Sequence, residues 1–206
     1  MKRSVLIAVV LSILALGGLV ALAHGAGQES VREPYRGRGR SVSAVTLPSD
    51  VQEALLETLT GPEGEYAAYA SYAAVIEKYG DVEPYLHIME AEGRHITALQ
   101  RQLDKYGVAY PAENPYLGQI EAPESLLEAA QAWAEGEIAN VEMYEQLLAV
   151  VEEYSDITRV FLNLQRASQE AHLPAFESAA ENGGTLDSGE THDSGGSSRG
   201  GRFGRR

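Results

Sequence analysis

The sequence of 206 residues contains no cysteine. It therefore forms no disulfide bond, no iron–sulfur centre and no zinc–thiolate site, and it has no cysteine nucleophile or bacterial lipoprotein anchor. Two other signatures are missing as well: a glycine-rich loop that would cradle phosphate, and a motif that would place a nucleophilic serine on a strained turn. A folded domain of this chain must be held together by an apolar core.

Basic residues are scarce between residues 45 and 182, where 25 Asp or Glu stand against 6 Lys or Arg. Nucleic acid is therefore not an expected partner, because phosphate binding needs a basic face. Such an excess of acid is typical of a solvated surface, and it also attracts metal cations. The two interpretations are compatible, and both stay open.

The N-terminus contains a long apolar run, residues 5–23, directly after Lys2 and Arg3. This order is typical of an export signal, and small residues near its end offer a cleavage point. The run is also long enough to span a bilayer if it stays uncleaved, and only then is a membrane a partner. We expect residues 1–26 to be a signal peptide or anchor, and the protein to be exported to an extracellular, periplasmic or cell-surface location. No twin-arginine pair precedes the run, so a cofactor would be loaded after export.

Composition divides the remaining chain into three parts. Residues 27–44, rich in glycine, arginine and serine, are predicted to be a flexible linker, and residues 183–206 a disordered tail. Residues 45–182 are long enough for one domain with its own core. Nearly every segment of this domain has the helical spacing of apolar residues, and no run alternates like a strand. The fold class is therefore predicted to be all-α.

Helix-starting and helix-ending residues divide this domain into one short and four long helices. The short helix is predicted at 49–59 and the long ones at 63–79, 81–106, 123–154 and 155–181. Very short turns join the long helices in pairs, so each pair is an antiparallel hairpin. The connector between the pairs, residues 107–122, can stretch ~50 Å and run the length of the bundle. Two hairpins with one long crossover are the ferritin-like arrangement of a four-helix bundle.

Both hairpins repeat one polar pattern. The first helix of each carries a Glu and, seven residues later, a Tyr: Glu65 with Tyr72, and Glu137 with Tyr144. The second helix carries an acid or amide and, three residues later, a His: Glu92 with His95, and Gln169 with His172. Residues at these spacings share one face of a helix. A single Glu-x-x-His step is more often a surface feature, but its repetition in both hairpins favours a common site.

Within each hairpin, the Glu of the first helix and the His of the second also lie at matching heights along the helix axis. Glu65 and His95 each lie 15 residues from Gly80, on opposite sides of the first turn. Glu137 and His172 lie 18 and 17 residues from the second turn. At ~1.5 Å per residue, each Glu meets the His of its own hairpin at the same height. This geometry is typical of metal sites in bundle cores, where one helix of each pair gives a Glu and the other a Glu-x-x-His.

Carboxylate and imidazole groups are suitable ligands for a hard or borderline divalent cation. The cation would also supply the positive charge that buried carboxylates need. We therefore predict a metal site in the bundle core, with these ligands: Glu65, Glu92, His95, Glu137 and His172. Three further residues are predicted to hydrogen-bond the ligands from behind: Tyr72, Tyr144 and Gln169.

The four long segments resemble the ferritin and rubrerythrin superfamily, and more closely its uncharacterised family called domain of unknown function 2202. The resemblance covers about residues 47–180 and is carried by four stretches: EYAAYASYAAVIEKYG, HIMEAEGRHITALQRQLDKYGV, SLLEAAQAWAEGEIANVEMY and SDITRVFLNLQRASQEAHLPAF. It implies the same five ligands, and iron or manganese as the cofactor, either one ion or an asymmetric pair. It leaves a homodimer open.

The sequence departs from this family at the last helix. Gln169 stands where a full di-iron site has a Glu, and a neutral amide is a poor bridging ligand. Glu170 points ~100° away on a regular helix and would reach the site only through a local bulge. Asn140 stands where rubrerythrins carry a further acid, and their cysteine-ligated iron centre is absent.

Two functions therefore stay open. The first is an exported metal-binding protein that, if it is an enzyme, is an oxidoreductase acting on dioxygen or peroxide. The second is a degenerate, metal-free bundle that serves as a binding or cell-surface module. The fold alone does not decide between them.

Overall fold

The structure is a computed structural model that describes residues 31–32 and 46–186. The predicted signal peptide or anchor, most of the predicted linker and the tail beyond residue 186 lie outside the described residues. The described part is mostly helical, which confirms the predicted all-α class. None of its helices is long and apolar enough to cross a membrane.

Six α-helices and one π-helical turn make up this part of the chain. In order they are α1 (Ser49–Thr60), α2 (Glu65–Tyr79), α3 (Tyr85–Tyr106), α4 (Leu126–Val150), α5 (Ser155–Ala167), the π-turn (Ser168–His172) and α6 (Leu173–Glu181). The last three follow one another without a break and occupy the place of the fourth long helix predicted from the sequence. Two short strands, β1 (Val31–Arg32) and β2 (Tyr110–Pro111), pair antiparallel. No strand is predicted there from the sequence, because two residues are too few to show an alternating pattern.

Helix ends follow from local sequence. α2 ends at Gly80 and α3 at Gly107, with φ values of 84° and 70° that favour glycine. α4 begins three residues later than predicted, because the side chain of Ser125 caps it by accepting a hydrogen bond from the backbone N–H of Glu128 at 3.2 Å. These ends fix the length of each helix and therefore the height of every side chain on it.

The long helices pack in sequence-adjacent pairs. α2 packs along α3, and α4 packs against α5, the π-turn and α6, while α1 contacts α2, α3 and α4. The connector between the pairs is tied to the first one: Tyr66 donates to the carbonyl of Pro111 at 3.0 Å, and Asn114 donates to the carbonyl of Tyr66 at 2.6 Å. Leu186, in the segment predicted as tail, donates its backbone N–H to the carbonyl of Glu83 at 2.9 Å.

Two apolar clusters form the core. One contains Leu99 and Tyr144, and the other contains Ile88 and Trp133. Fully burying a side chain such as Leu99 stabilises the fold by about 1.5–3 kcal/mol. On α3, Glu92 and His95 lie between Ile88 and Leu99. On α4, Glu137 lies between Trp133 and Tyr144. A polar layer therefore separates the two clusters.

Candidate metal centre

The five predicted ligands converge in this polar layer. α2 provides Glu65, α3 provides Glu92 and His95, α4 provides Glu137, and the π-turn provides His172. They form two overlapping groups, and in each group the ligand atoms lie within 4.8 Å of one another. The first group is Glu65, Glu92 and His95; the second is Glu92, Glu137 and His172. Buried Glu and His side chains therefore stand where they could hold a metal ion.

Glu92 belongs to both groups because its two carboxylate oxygens face different histidines. Its Oε2 lies 2.7 Å from Nδ1 of His95, and its Oε1 lies 3.3 Å from Nδ1 of His172. Each imidazole also faces a second carboxylate: Oε2 of Glu65 is 3.4 Å from His95, and Oε1 of Glu137 is 3.5 Å from His172. The arrangement thus has one shared acid in the middle and one acid and one imidazole on either side.

The acids of the cluster are removed from solvent. Glu92 and Glu137 are 2% and 1% exposed, and Glu65 is 6% exposed. His172 is also buried, whereas the side chain of His95 is 16% exposed and is the most solvent-accessible member of the cluster. Burying carboxylates is costly unless positive charge or hydrogen bonds compensate it, so these residues must share protons or a cation.

The pKa values show how protons are shared in the metal-free chain. Burial and the neighbouring Glu92 raise the pKa of Glu65 to about 8. Burial also favours the neutral form of Glu92, but hydrogen bonds from Glu65, His172 and His95 outweigh it and hold the pKa of Glu92 well below its usual range. At neutral pH, Glu65 therefore holds a proton and Glu92 is ionised.

Both imidazoles are protonated as well. Burial alone would lower the pKa of each histidine, but hydrogen bonds to its two carboxylates and their charges outweigh burial. The pKa rises to about 10 for His95 and to about 9 for His172. A metal ion would therefore have to displace protons from His95, His172 and Glu65.

Two tyrosines hold the outer carboxylates. Tyr72 donates to Oε1 of Glu137 at 2.9 Å, and Tyr144 donates to Oε1 of Glu65. Burial and the nearby carboxylates raise the pKa of both phenols well above the usual value, so both stay protonated donors. The structure therefore places both phenols against the outer carboxylates of the cluster.

Gln169 does not lie behind the ligands: its side chain is exposed, and so is that of Glu170. The reason is the π-turn, in which the backbone N–H of Leu173 bonds to the carbonyl of Ser168, five residues earlier. This wider turn buries Ser168 and His172 and turns the residues after Ser168 outward. A bulge does occur where Glu170 would need one, but it does not bring Glu170 into the site.

The π-turn has a signal in the sequence. Pro174 lies inside the helix predicted at 155–181, and a proline there lacks an N–H and its ring clashes with the carbonyl four residues earlier, that of Glu170. A local widening of the helix relieves this conflict. Asn140 is half-buried and lies three residues after Glu137 on α4.

The donor atoms fit a cation. Oε2 of Glu65 and Nδ1 of His172 are buried, and their contacts with neighbouring ligand atoms are long: 3.4 Å to His95 for Glu65 and 3.3 Å to Glu92 for His172. Oxygen and nitrogen donors of this kind suit divalent manganese, iron or zinc. Each group offers three protein ligands, which leaves coordination positions for small molecules.

No protein-family model and no curated protein matches the chain. Among solved structures it is similar to a hypothetical protein from Methanococcus jannaschii DSM 2661, with a TM-score of 0.58 and 22% sequence identity. The similarity covers 71% of this chain and 88% of that chain. The likeness is one of fold.

Proposed function

We propose that this chain is an exported ferritin-like protein that binds iron or manganese in the core of its helical bundle. The observation that carries the proposal is the position of Glu92, whose two oxygens face two histidines on different helices. Glu92 would be the ligand that both groups share, and each group would add one outer acid and one imidazole. The resemblance of the sequence to domain of unknown function 2202 implies the same five ligands.

The packing of the helices supports the ferritin-like arrangement. α2 and α3 form one sequence-adjacent pair, and α4 forms another with α5 to α6. Residues 107–125 connect the pairs.

The residues of such a site would have different roles. Glu65 and His95 would hold one ion, Glu137 and His172 a second, and Glu92 would lie between them. Tyr72 and Tyr144 orient the outer carboxylates by hydrogen bonds, and the apolar clusters above and below exclude water. When bound, iron or manganese supplies redox chemistry towards dioxygen or peroxide, so an oxidoreductase is the activity that we propose.

A metal-free bundle that acts as a binding or cell-surface module is the second candidate. Two observations favour it. The imidazole of His95 pairs directly with the carboxylate of Glu92 at 2.7 Å, and no second shared acid comes from the π-turn, because Gln169 and Glu170 are exposed.

Metal content separates the two candidates. The full chain, stripped with a chelator and then loaded anaerobically with ferrous iron or with manganese, is dialysed and its metal per chain is measured. We expect up to two ions in the wild type and loss of most of them in Glu92→Gln. Glu90→Gln is the matched control, because Glu90 is an exposed acid on the same helix. A wild-type chain that retains neither metal would support the metal-free bundle.

A further inference from the structure

Glu65 differs from the other acids of the cluster in its place on its helix. It is the first helical residue of α2 and directly follows Gly64, which has no side chain to cap this end. Glu92 and Glu137, in contrast, lie well inside α3 and α4. The first turn of a helix lacks internal partners for its N–H groups and opens more readily than the middle. Contacts from outside α2 must therefore hold Glu65 at the candidate centre.

The connector between the hairpins binds the chain on both sides of the turn that precedes Glu65. Before the turn, the hydroxyl of Tyr116 donates to the carbonyl of Thr60, the last residue of α1, at 2.8 Å. After the turn, the side-chain amide of Asn114 donates to the carbonyl of Tyr66 at 2.6 Å. Tyr66 is the neighbour of Glu65 in the chain, so this bond acts one residue away from the candidate ligand.

The amide group of Asn114 has a fixed orientation. Its Oδ1 accepts from the backbone N–H of Tyr116 at 2.9 Å, two residues further on, which is an Asx-turn. Pro115 lies between these two residues and restricts the backbone of the turn. Asn114 therefore makes two separate contacts: its oxygen bonds within the connector, and its nitrogen bonds to α2.

The carboxylate of Glu65 depends on partners from other helices. Its Oε1 accepts from Tyr144 of α4, and its Oε2 lies 3.4 Å from Nδ1 of His95 on α3. A shift of the first turn of α2 would change both contacts together. Ligands of a metal site must be held within ~0.5 Å of their working positions. The bond that fixes this turn therefore matters for the site as well as for the helix.

We propose that Asn114 is a positioning residue for Glu65: by binding the carbonyl of Tyr66, it fixes the first turn of α2 and the place at which Glu65 meets a cation. The connector then supports the first ligand group and not the second, whose outer ligands are Glu137 and His172. The inference rests on the proposed function in one respect, because it takes Glu65 to be a metal ligand.

Asn114→Asp separates the two contacts of Asn114. An aspartate keeps an oxygen that accepts from Tyr116, but it presents a second oxygen instead of a donor to the carbonyl of Tyr66. Hydrogen exchange is measured by NMR in the full-length, metal-free chain. The amides of Tyr69 and Ala70 bond to the carbonyls of the first two residues of α2. We expect both to exchange faster by about tenfold or more, while the amides of α6 keep their rates.

Asn182→Asp is the matched control. The amide of Asn182 also donates to a helix carbonyl, that of Ser178 at 2.9 Å, but it is exposed at the end of α6. We expect this variant to leave the exchange at Tyr69 and Ala70 unchanged. Asn114→Ala, which loses both contacts, should match Asn114→Asp at these amides. The proposal is overturned if Asn114→Asp exchanges like the wild type, because the shape of the connector would then be all that Asn114 maintains.

Metal affinity gives the second measurement, by competition of divalent manganese with a chelating dye. The His172→Ala background removes an outer ligand of the second group and leaves the first intact, and there we expect Asn114→Asp to weaken manganese binding about tenfold. In the His95→Ala background, which leaves the second group intact, we expect no effect. Equal weakening in both backgrounds would indicate a general loss of packing and would overturn the positioning role.

The two measurements distinguish this inference from the proposed function. Manganese binding that is unchanged by Asn114→Asp, with unchanged exchange at Tyr69 and Ala70, overturns the positioning role alone. A wild-type chain that binds neither iron nor manganese, but shows the faster exchange in Asn114→Asp, overturns the proposed function and leaves the hold of the connector on α2 in place.

Discussion

The hydroxyl of Tyr72 donates a hydrogen bond to Oε1 of Glu137, 2.9 Å away, from α2 to α4. The reverse contact also exists, because Tyr144 of α4 donates to Glu65 of α2. Tyr72 follows Glu65 on α2 but hydrogen-bonds Glu137 of α4. Tyr144 follows Glu137 on α4 but hydrogen-bonds Glu65 of α2. The two outer carboxylates are therefore positioned across the boundary between the hairpins, before any ion binds.

Tyr72→Phe tests this positioning. Loss of the hydroxyl leaves Glu137 free to rotate, and we expect metal affinity to fall by about 10- to 100-fold. The unpaired carboxylate should also lower the free energy of unfolding by about 1–3 kcal/mol. A competition titration with a chelating dye and a denaturant titration measure the two effects. Tyr69→Phe, on the same helix and only partly buried, is the matched control; an equal loss in both variants would contradict the positioning role.

The two histidines should each control one ion. His95 and His172 belong to different groups that share only Glu92. We therefore expect His95→Ala and His172→Ala each to reduce metal content by about one ion per chain, and the double variant to bind almost none. Metal analysis after dialysis checks this, with His87→Ala as an exposed control on the same helix as His95. Unchanged metal content in both single variants would refute the ligand assignment.

Metal binding should release protons. At pH 7 the metal-free cluster holds protons on His95, His172 and Glu65, because their pKa values are raised to about 10, about 9 and about 8. A cation must displace these protons, and their removal becomes easier as pH rises towards those pKa values. Metal affinity should therefore increase steadily from pH 6 to pH 8.

Calorimetric titration in two buffers with different ionisation enthalpies counts the protons released at pH 7. We expect more than one proton per chain in the wild type and about one fewer in His95→Ala. Identical heats in the two buffers would show that metal binding displaces no proton.

Gln169→Glu tests the consequence of the π-turn. A glutamate here would repeat the Glu-x-x-His spacing of Glu92 and His95 in the second hairpin, yet the turn leaves residue 169 exposed. We expect metal content and affinity to stay within experimental error of the wild type, as measured by the same dye competition. A gain of a tightly bound ion would mean that the helix regains a regular register around this position in solution.

The convergence of the five Glu and His residues could be predicted from the sequence, because spacing along a regular helix fixes the height and the face of each side chain. Glu65 and His95 lie equally far from the turn at Gly80, and this alone places them at one height. The orientation of Gln169 could not be predicted in the same way, because a regular period does not include a π-turn. Pro174 was the local signal, but the choice between a kink and a bulge depends on packing with α4.

Other features depend on contacts that sequence spacing does not contain. The pairing of β1 with β2 joins two-residue strands far apart in the chain. A cavity of about 80 Å³ lies where small side chains of α2 and α4, such as Ala67 and Ala132, meet, so it depends on how the two helices are placed. Trp133 has the spacing of a core residue, and only the packed structure shows its indole nitrogen without a partner among the described residues.

The connectivity of the second ligand group has a mechanical consequence. Glu92 comes from the first hairpin, whereas Glu137 and His172 come from the second. An ion held by these three residues is a cross-link between the two halves of the chain, made without any cysteine. Its removal would allow the halves to separate more readily, so the supply of metal would set how long the protein resists proteases.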